Sequence, residues 1–145
     1  MAQGENSNGW SAEEREAMKE RAAELRAAKK GKKSGLDDLL EKIAEMPDSD
    51  RVLAERLHQI VSDNAPHLEP KTWYGFPAYA LEGKVLCFFQ PAAKFKAPYA
   101  TFGFNEAKNL DNGEIWISSF GVATLTAAAE KQIIEVLKKA AGDPA

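Results

Sequence analysis

The residue types that do chemistry are thinly spread through this chain of 145 residues. The single cysteine, Cys87, stands in the apolar run Val85-Leu86-Cys87-Phe88-Phe89. A thiol buried among apolar neighbours has a raised pKa and is a poor nucleophile. The two histidines, His58 and His67, are nine residues apart across an expected helix end, a spacing that fits no zinc-ligand pattern. No Ser-His-Asp order, glycine-rich phosphate loop or HExxH motif is present. The sequence therefore nominates no catalytic residue, and the reading leans away from an enzyme.

Two groupings remain. Glu16, Glu20 and Glu24 recur at every fourth position, and Asp37, Asp38 and Glu41 form a second acidic cluster one helix later. Hard cations want oxygen ligands, and such stripes gather them loosely; equally, acids are common on exposed helix faces and near helix N-termini. The other grouping is aromatic. Trp73, Tyr74, Phe76 and Tyr79 surround a glycine and a proline, with Lys84, Lys94 and Lys96 close behind. Rings with polar handles beside lysines suit a small, anionic ligand. The plainer alternative is that the rings are core and the lysines guard a sheet edge.

The elements that must position these side chains are legible from period and punctuation. Residues 1–10 read as a disordered tail. Ser11 and Glu14 form a capping box that opens a helix running to about residue 29. Its apolar strip is narrow (Met18, Ala22, Leu25), with Arg15, Lys19 and Arg26 beside it and Glu13, Glu16, Glu20 and Glu24 on the far side. That helix and the basic, glycine-containing linker after it make up residues 11–34; the remainder, 35–145, reads as one domain. Residues 36–46 form an amphipathic helix with Leu36, Leu39, Leu40 and Ile43 inward, ended by Pro47. Asp48 or Ser49 caps the next, over residues 50–64.

After residue 70 the period shortens. Residues 71–74 and 77–81 read as strands separated by a bulge or bend at Gly75, with a tight turn at Glu82-Gly83. Residues 85–89 are apolar throughout, the mark of a central strand; 99–104 and 115–122 follow as strands, and Thr126 caps a last helix. The expected architecture is α+β, a mainly antiparallel sheet of about five strands packed by helices.

Composition narrows the function classes. A net charge of -3 offers no global attraction to nucleic acid or an anionic membrane, and no apolar run approaches a bilayer span. One cysteine excludes an internal disulfide and suits a reducing compartment, and the N-terminus lacks the pattern of a secretory signal. A cytoplasmic location is expected.

The residues Tyr74-Gly75-Phe76-Pro77-Ala78-Tyr79, Gly83-Lys84-Val85 and Phe88-Phe89 resemble the YdhG-like family, a widespread bacterial domain of unknown function. In that family an aromatic-Gly-hydrophobic-Pro-Ala-Tyr element precedes a glycine-turn hairpin and a V-x-x-F-F strand. The resemblance spans residues 53–141, and the extension over residues 10–33 resembles one carried by some actinobacterial members. It implies a YdhG-like α+β fold. Some members are labelled frataxin-like intracellular iron chaperones, which implies iron held by exposed carboxylates. Where many members have a basic pair followed by histidine after the central strand, this chain reads Ala93-Lys94-Phe95-Lys96. Three roles stay open: a non-catalytic domain binding a small ligand through Trp73, Tyr74, Phe76, Tyr79, Lys84, Lys94 and Lys96; iron handling through Glu16, Glu20, Glu24, Asp37, Asp38 and Glu41; and a protein-interaction module built on the N-terminal helix.

Overall fold

Among the described residues, the aromatic and β-branched segments between residues 69 and 122 pair into one antiparallel sheet, and the alanine-, leucine- and glutamate-rich segments around them form four helices. The structure, a computed structural model, describes residues 11–30 and 34–143. The expected tail over residues 1–10 and the centre of the basic linker, residues 31–33, lie outside these, as do the side chains of Leu25 and Arg26.

The elements in chain order are α1 (Ala12–Lys30), α2 (Gly35–Ala44), α3 (Asp48–Asn64), β1 (Glu69–Trp73), β2 (Phe76–Leu81), β3 (Lys84–Gln90), a single 3-10 turn (Ala93–Phe95), β4 (Ala100–Phe104), a second 3-10 turn (Lys108–Leu110), β5 (Ser119–Val122) and α4 (Ala127–Ala141). Each strand pairs with the next, so β3 is the central one. Two of the links are two-residue hairpins in which both residues have positive φ: Tyr74-Gly75 (54° and 83°) and Glu82-Gly83 (52° and 85°). That pair of conformations matches the twist of the strands it joins. Gly75 therefore reverses the chain, where the sequence pattern suggested only a bulge or bend. The register shift lies instead between Tyr79 and Ala80.

Strand alternation sorts the side chains onto two faces. Cys87 pairs with Tyr79 and Phe104, and Phe89 with Phe102; this face joins α2, α3 and α4 in the main core, with Leu39, Leu57, Ile60 and Leu137 fully buried. Phe88 pairs with Ala78 and Gly103 and belongs to the other face. Its ring lies directly over Gly103, where a Cβ would collide with it. Gly103→Ala is expected to cost about 1 kcal/mol through overpacking and to tilt the Phe88 ring. Chemical denaturation, with ring-current shifts on neighbouring methyls, checks both effects; an unshifted ring would refute the packing argument.

The caps follow the sequence at α1 and α4. Ser11 Oγ accepts from the Glu14 amide (3.0 Å), Glu14 Oε1 accepts from the Ser11 amide (2.8 Å), and Thr126 Oγ1 accepts from the Ala129 amide (3.1 Å). Elsewhere the expected elements differ. At α3, Pro47 occupies the N-cap and neither Asp48 nor Ser49 caps; Asp48 bonds Arg51 (2.6 Å). On α2 only Leu39 and Ile43 point inward, while Leu36 (41%) and Leu40 (44%) are exposed, because α2 lies along β1 and β2 and its outer turns meet solvent. The last strand is confined to β5; Ile115, Trp116 and Ile117 precede it as exposed chain, with one isolated bridge from Asp111 to Trp116. Among the described residues no helix is long and apolar enough to cross a membrane.

Candidate functional site

The sheet face opposite the main core is left to α1 and the first 3-10 turn, and between them lies a groove of about 350 Å³. Its floor is Trp73, Phe76 and Phe88 from β1, β2 and β3. Tyr74 and Phe95 complete the aromatic lining, and Ala17 and Met18 of α1 form the roof. The hairpin at Tyr74-Gly75 places Trp73 and Phe76 as direct cross-strand partners, which is why their rings meet, 5.9 Å apart at 84°. Trp73 also meets Tyr74 at 4.9 Å and 70°, and Phe76 meets Phe95 at 6.2 Å and 67°. The polar side chains on the groove are Glu14 and Gln90.

Of the seven nominated ligand residues, Trp73, Tyr74 and Phe76 line this groove together. Lys94 and Lys96 flank it but face glutamates of α1: Lys94 Nζ pairs with Glu20 Oε1, and Lys96 Nζ with Glu13 Oε2 (2.8 Å). Tyr79 is on the other side of the sheet, 2% exposed, its hydroxyl 3.0 Å from His58 Nδ1; burial raises the tyrosine's pKa and lowers the histidine's. Lys84 sits at the far hairpin, where it lines a separate hollow together with Leu86, Asn105 and Ala107. The expected aromatic–lysine surface is therefore divided: its rings share a groove, and its lysines lie apart or are occupied. Alternation along β2 separates Phe76 from Tyr79, since three positions reverse the side of the sheet.

The acidic candidates separate too. Glu16 is exposed, and Asp37 and Asp38 occupy the first turn of α2, whose amides favour negative charge. Glu41 is exposed on α2. Glu20 and Glu24, expected on the outer side of α1, instead turn inward. Glu20 bonds both Lys94 and Lys42 (3.4 Å to Oε2), and Glu24 Oε2 accepts from the Gly75 amide at 3.0 Å. Partners offered by the 74–75 turn, α2 and the 3-10 turn outweigh the weak apolar strip, and Met18 stays 45% exposed. Among the described residues no three His, Cys, Asp or Glu side chains group as a metal site.

Burial holds the Glu24 carboxyl above its ordinary value of 4.5, against the lowering effects of Thr72, the Gly75 amide, Arg21 and Lys42; its Oε1 is buried without a hydrogen-bond partner. A raised folded-state pKa favours folding below about pH 4.5, and that contribution is lost as pH rises through the raised value. Glu24→Gln is therefore expected to raise the melting temperature above that pH, and to flatten this part of the pH profile. Glu13 and Glu130 are shifted the other way, mainly by hydrogen bonds from Lys96 and Arg56, and their contributions vanish below 4.5, outside this window. Thermal melts from about pH 5 to 8 decide it; an unchanged slope would remove Glu24 as the cause.

Six groove residues were missed in the sequence: Glu14, Ala17, Met18, Phe88, Gln90 and Phe95. A signal existed for Phe88, since an apolar residue on every position of a strand implies cover on both faces. Cys87 is fully buried in the main core, and its thiol pKa is pushed up by burial, which leaves it unreactive. No protein-family model, curated protein or solved structure matches the chain.

Proposed function

We propose that this protein is a non-catalytic, cytoplasmic binding module for a small organic ligand, seated in the groove between α1 and the aromatic face of the sheet. One observation carries the reading. Trp73, Phe76 and Phe88 stand on the side of the sheet that the main core does not use, and α1 roofs them through Ala17 and an exposed Met18 without filling the space. A cleft of about 350 Å³, mostly apolar with a few polar side chains, is the usual form of a small-ligand site. The lone, buried cysteine suits the reducing cytoplasm. Iron handling draws support from the family resemblance alone, and at Glu20 a metal would compete with two lysines. A protein-interaction role for α1 would have to proceed with its inner side engaged against the 74–75 turn.

The test is a soluble fragment screen on the full chain, followed by amide and indole NMR. Hits are expected to shift the Trp73 indole together with Met18 and Phe95 signals. A screen whose hits avoid these three, or which yields none, overturns the reading.

A further inference from the structure

We propose that the groove selects an organic cation, a methylated or alkylated ammonium carrying an apolar tail; this rests on the groove being a ligand site. Three observations converge. Three ring pairs along the groove are steep, at 70° for Trp73–Tyr74, 84° for Trp73–Phe76 and 67° for Phe76–Phe95, while Phe88 is tilted at 52° to Trp73 and 36° to Phe76. Rings set at such varied angles bring both faces and edges to one space, and an electron-rich face reached from it attracts a quaternary ammonium group.

The charge on the groove has one sign. Glu14 is the ionisable side chain in its lining, and one of its oxygens, Oε1, is committed to the Ser11 amide, which leaves Oε2 for a ligand. The nearby cations are already matched, Lys94 to Glu20, Lys96 to Glu13 and Arg21 to Glu24 (3.9 Å). An anion entering the groove would meet a carboxylate and no lysine in the lining, so the anionic ligand suggested by the sequence is disfavoured. The third observation is that Tyr74 already holds a cation: the Arg21 guanidinium lies over its ring, 6.0 Å from the centroid. Gln90 adds a neutral amide to the lining for a polar group on the ligand's tail.

Choline, its neutral carbon isostere dimethylbutanol, phenyltrimethylammonium and benzoate are titrated separately into the full chain, read at the Trp73 indole N–H and assigned through Trp73→Phe. The two cations are expected to bind about tenfold more tightly than the isostere, phenyltrimethylammonium the tighter of them. Glu14→Gln, an exposed position, should weaken both cations about threefold and leave the isostere unchanged. Equal or tighter binding of dimethylbutanol or benzoate would overturn the cation assignment while leaving the groove a binding site. Silence from all four probes would also overturn it, and the fragment screen would then decide separately whether the groove binds anything.

Discussion

Asp50→Ala is expected to lower the unfolding free energy by about 3 kcal/mol. Asp50 is 2% exposed on α3, and its two carboxylate oxygens accept from consecutive amides of another segment, Ala92 (2.9 Å) and Ala93 (3.0 Å). Hydrogen bonds to a charged acceptor contribute about 1.5–3 kcal/mol each, and truncation leaves both amides without their partner and a small void beside them. Those amides open the 3-10 turn that carries Lys94 to Glu20 and Phe95 to the wall of the groove. The same substitution should therefore broaden the Phe95 signals and weaken any groove ligand, although Asp50 does not line the groove. Asp50→Asn keeps one good acceptor and should recover about half of the loss. Urea unfolding of the three proteins measures it. A loss under about 1 kcal/mol in the alanine variant would show that α3 does not anchor the turn.

Asp50 also illustrates what the sequence could and could not convey. As an acid near a helix start it reads as an ordinary N-terminal residue, and nothing local says that its partners lie 42 positions away. Local signals carried the architecture well: the capping box at Ser11-Glu14, the Glu82-Gly83 hairpin, the wholly apolar central strand and the Thr126 cap all stand where patterning puts them. Long-range matters were hidden. Glu20 and Glu24 look like a solvated row until Gly75, Lys42 and Lys94 arrive from elsewhere in the chain to meet them. Leu36 and Leu40 fit an inward stripe by period, but α2 lies along the sheet and buries only Leu39 and Ile43. At the site, the types were readable and the sides were not. Trp73, Tyr74 and Phe76 were singled out together, yet the face on which Tyr79 falls depends on where the 74–75 turn begins, a single-residue question. Tyrosine is a poor turn residue by propensity, so Tyr74 at a φ of 54° concealed the hairpin.

That turn is where the second large effect is expected. Gly75→Ala should cost about 2–3 kcal/mol and loosen α1, from two separable causes. The first is backbone. At a φ of 83° a side chain is strained by about 1–2 kcal/mol, and the turn cannot relax while Trp73 and Phe76 remain paired across it. The second is contact: a Cβ at this position would overlap the Glu20 carboxylate and the Lys94 ammonium, so the ion pair fastening α1 to the 3-10 turn must part. Both side chains are flexible, so the second cost is the loss of a partly buried pair, about 1 kcal/mol. The causes separate in a double-mutant cycle with Glu20→Ala. Where Glu20 is already truncated, adding Gly75→Ala should cost only the backbone part, and the coupling of about 1 kcal/mol reports the displaced pair. Hydrogen exchange locates the effect, with amides of α1 around Ala17 opening about tenfold faster in Gly75→Ala and the α3 and α4 amides changing only by the global loss. Strict additivity in the cycle, with α1 protected as in the parent, would mean that the Glu20–Lys94 pair does not fasten α1. The roof of the groove would then hang on Ala17, the Glu24–Gly75 bond and the pairs of Glu13 with Lys96 and Glu20 with Lys42.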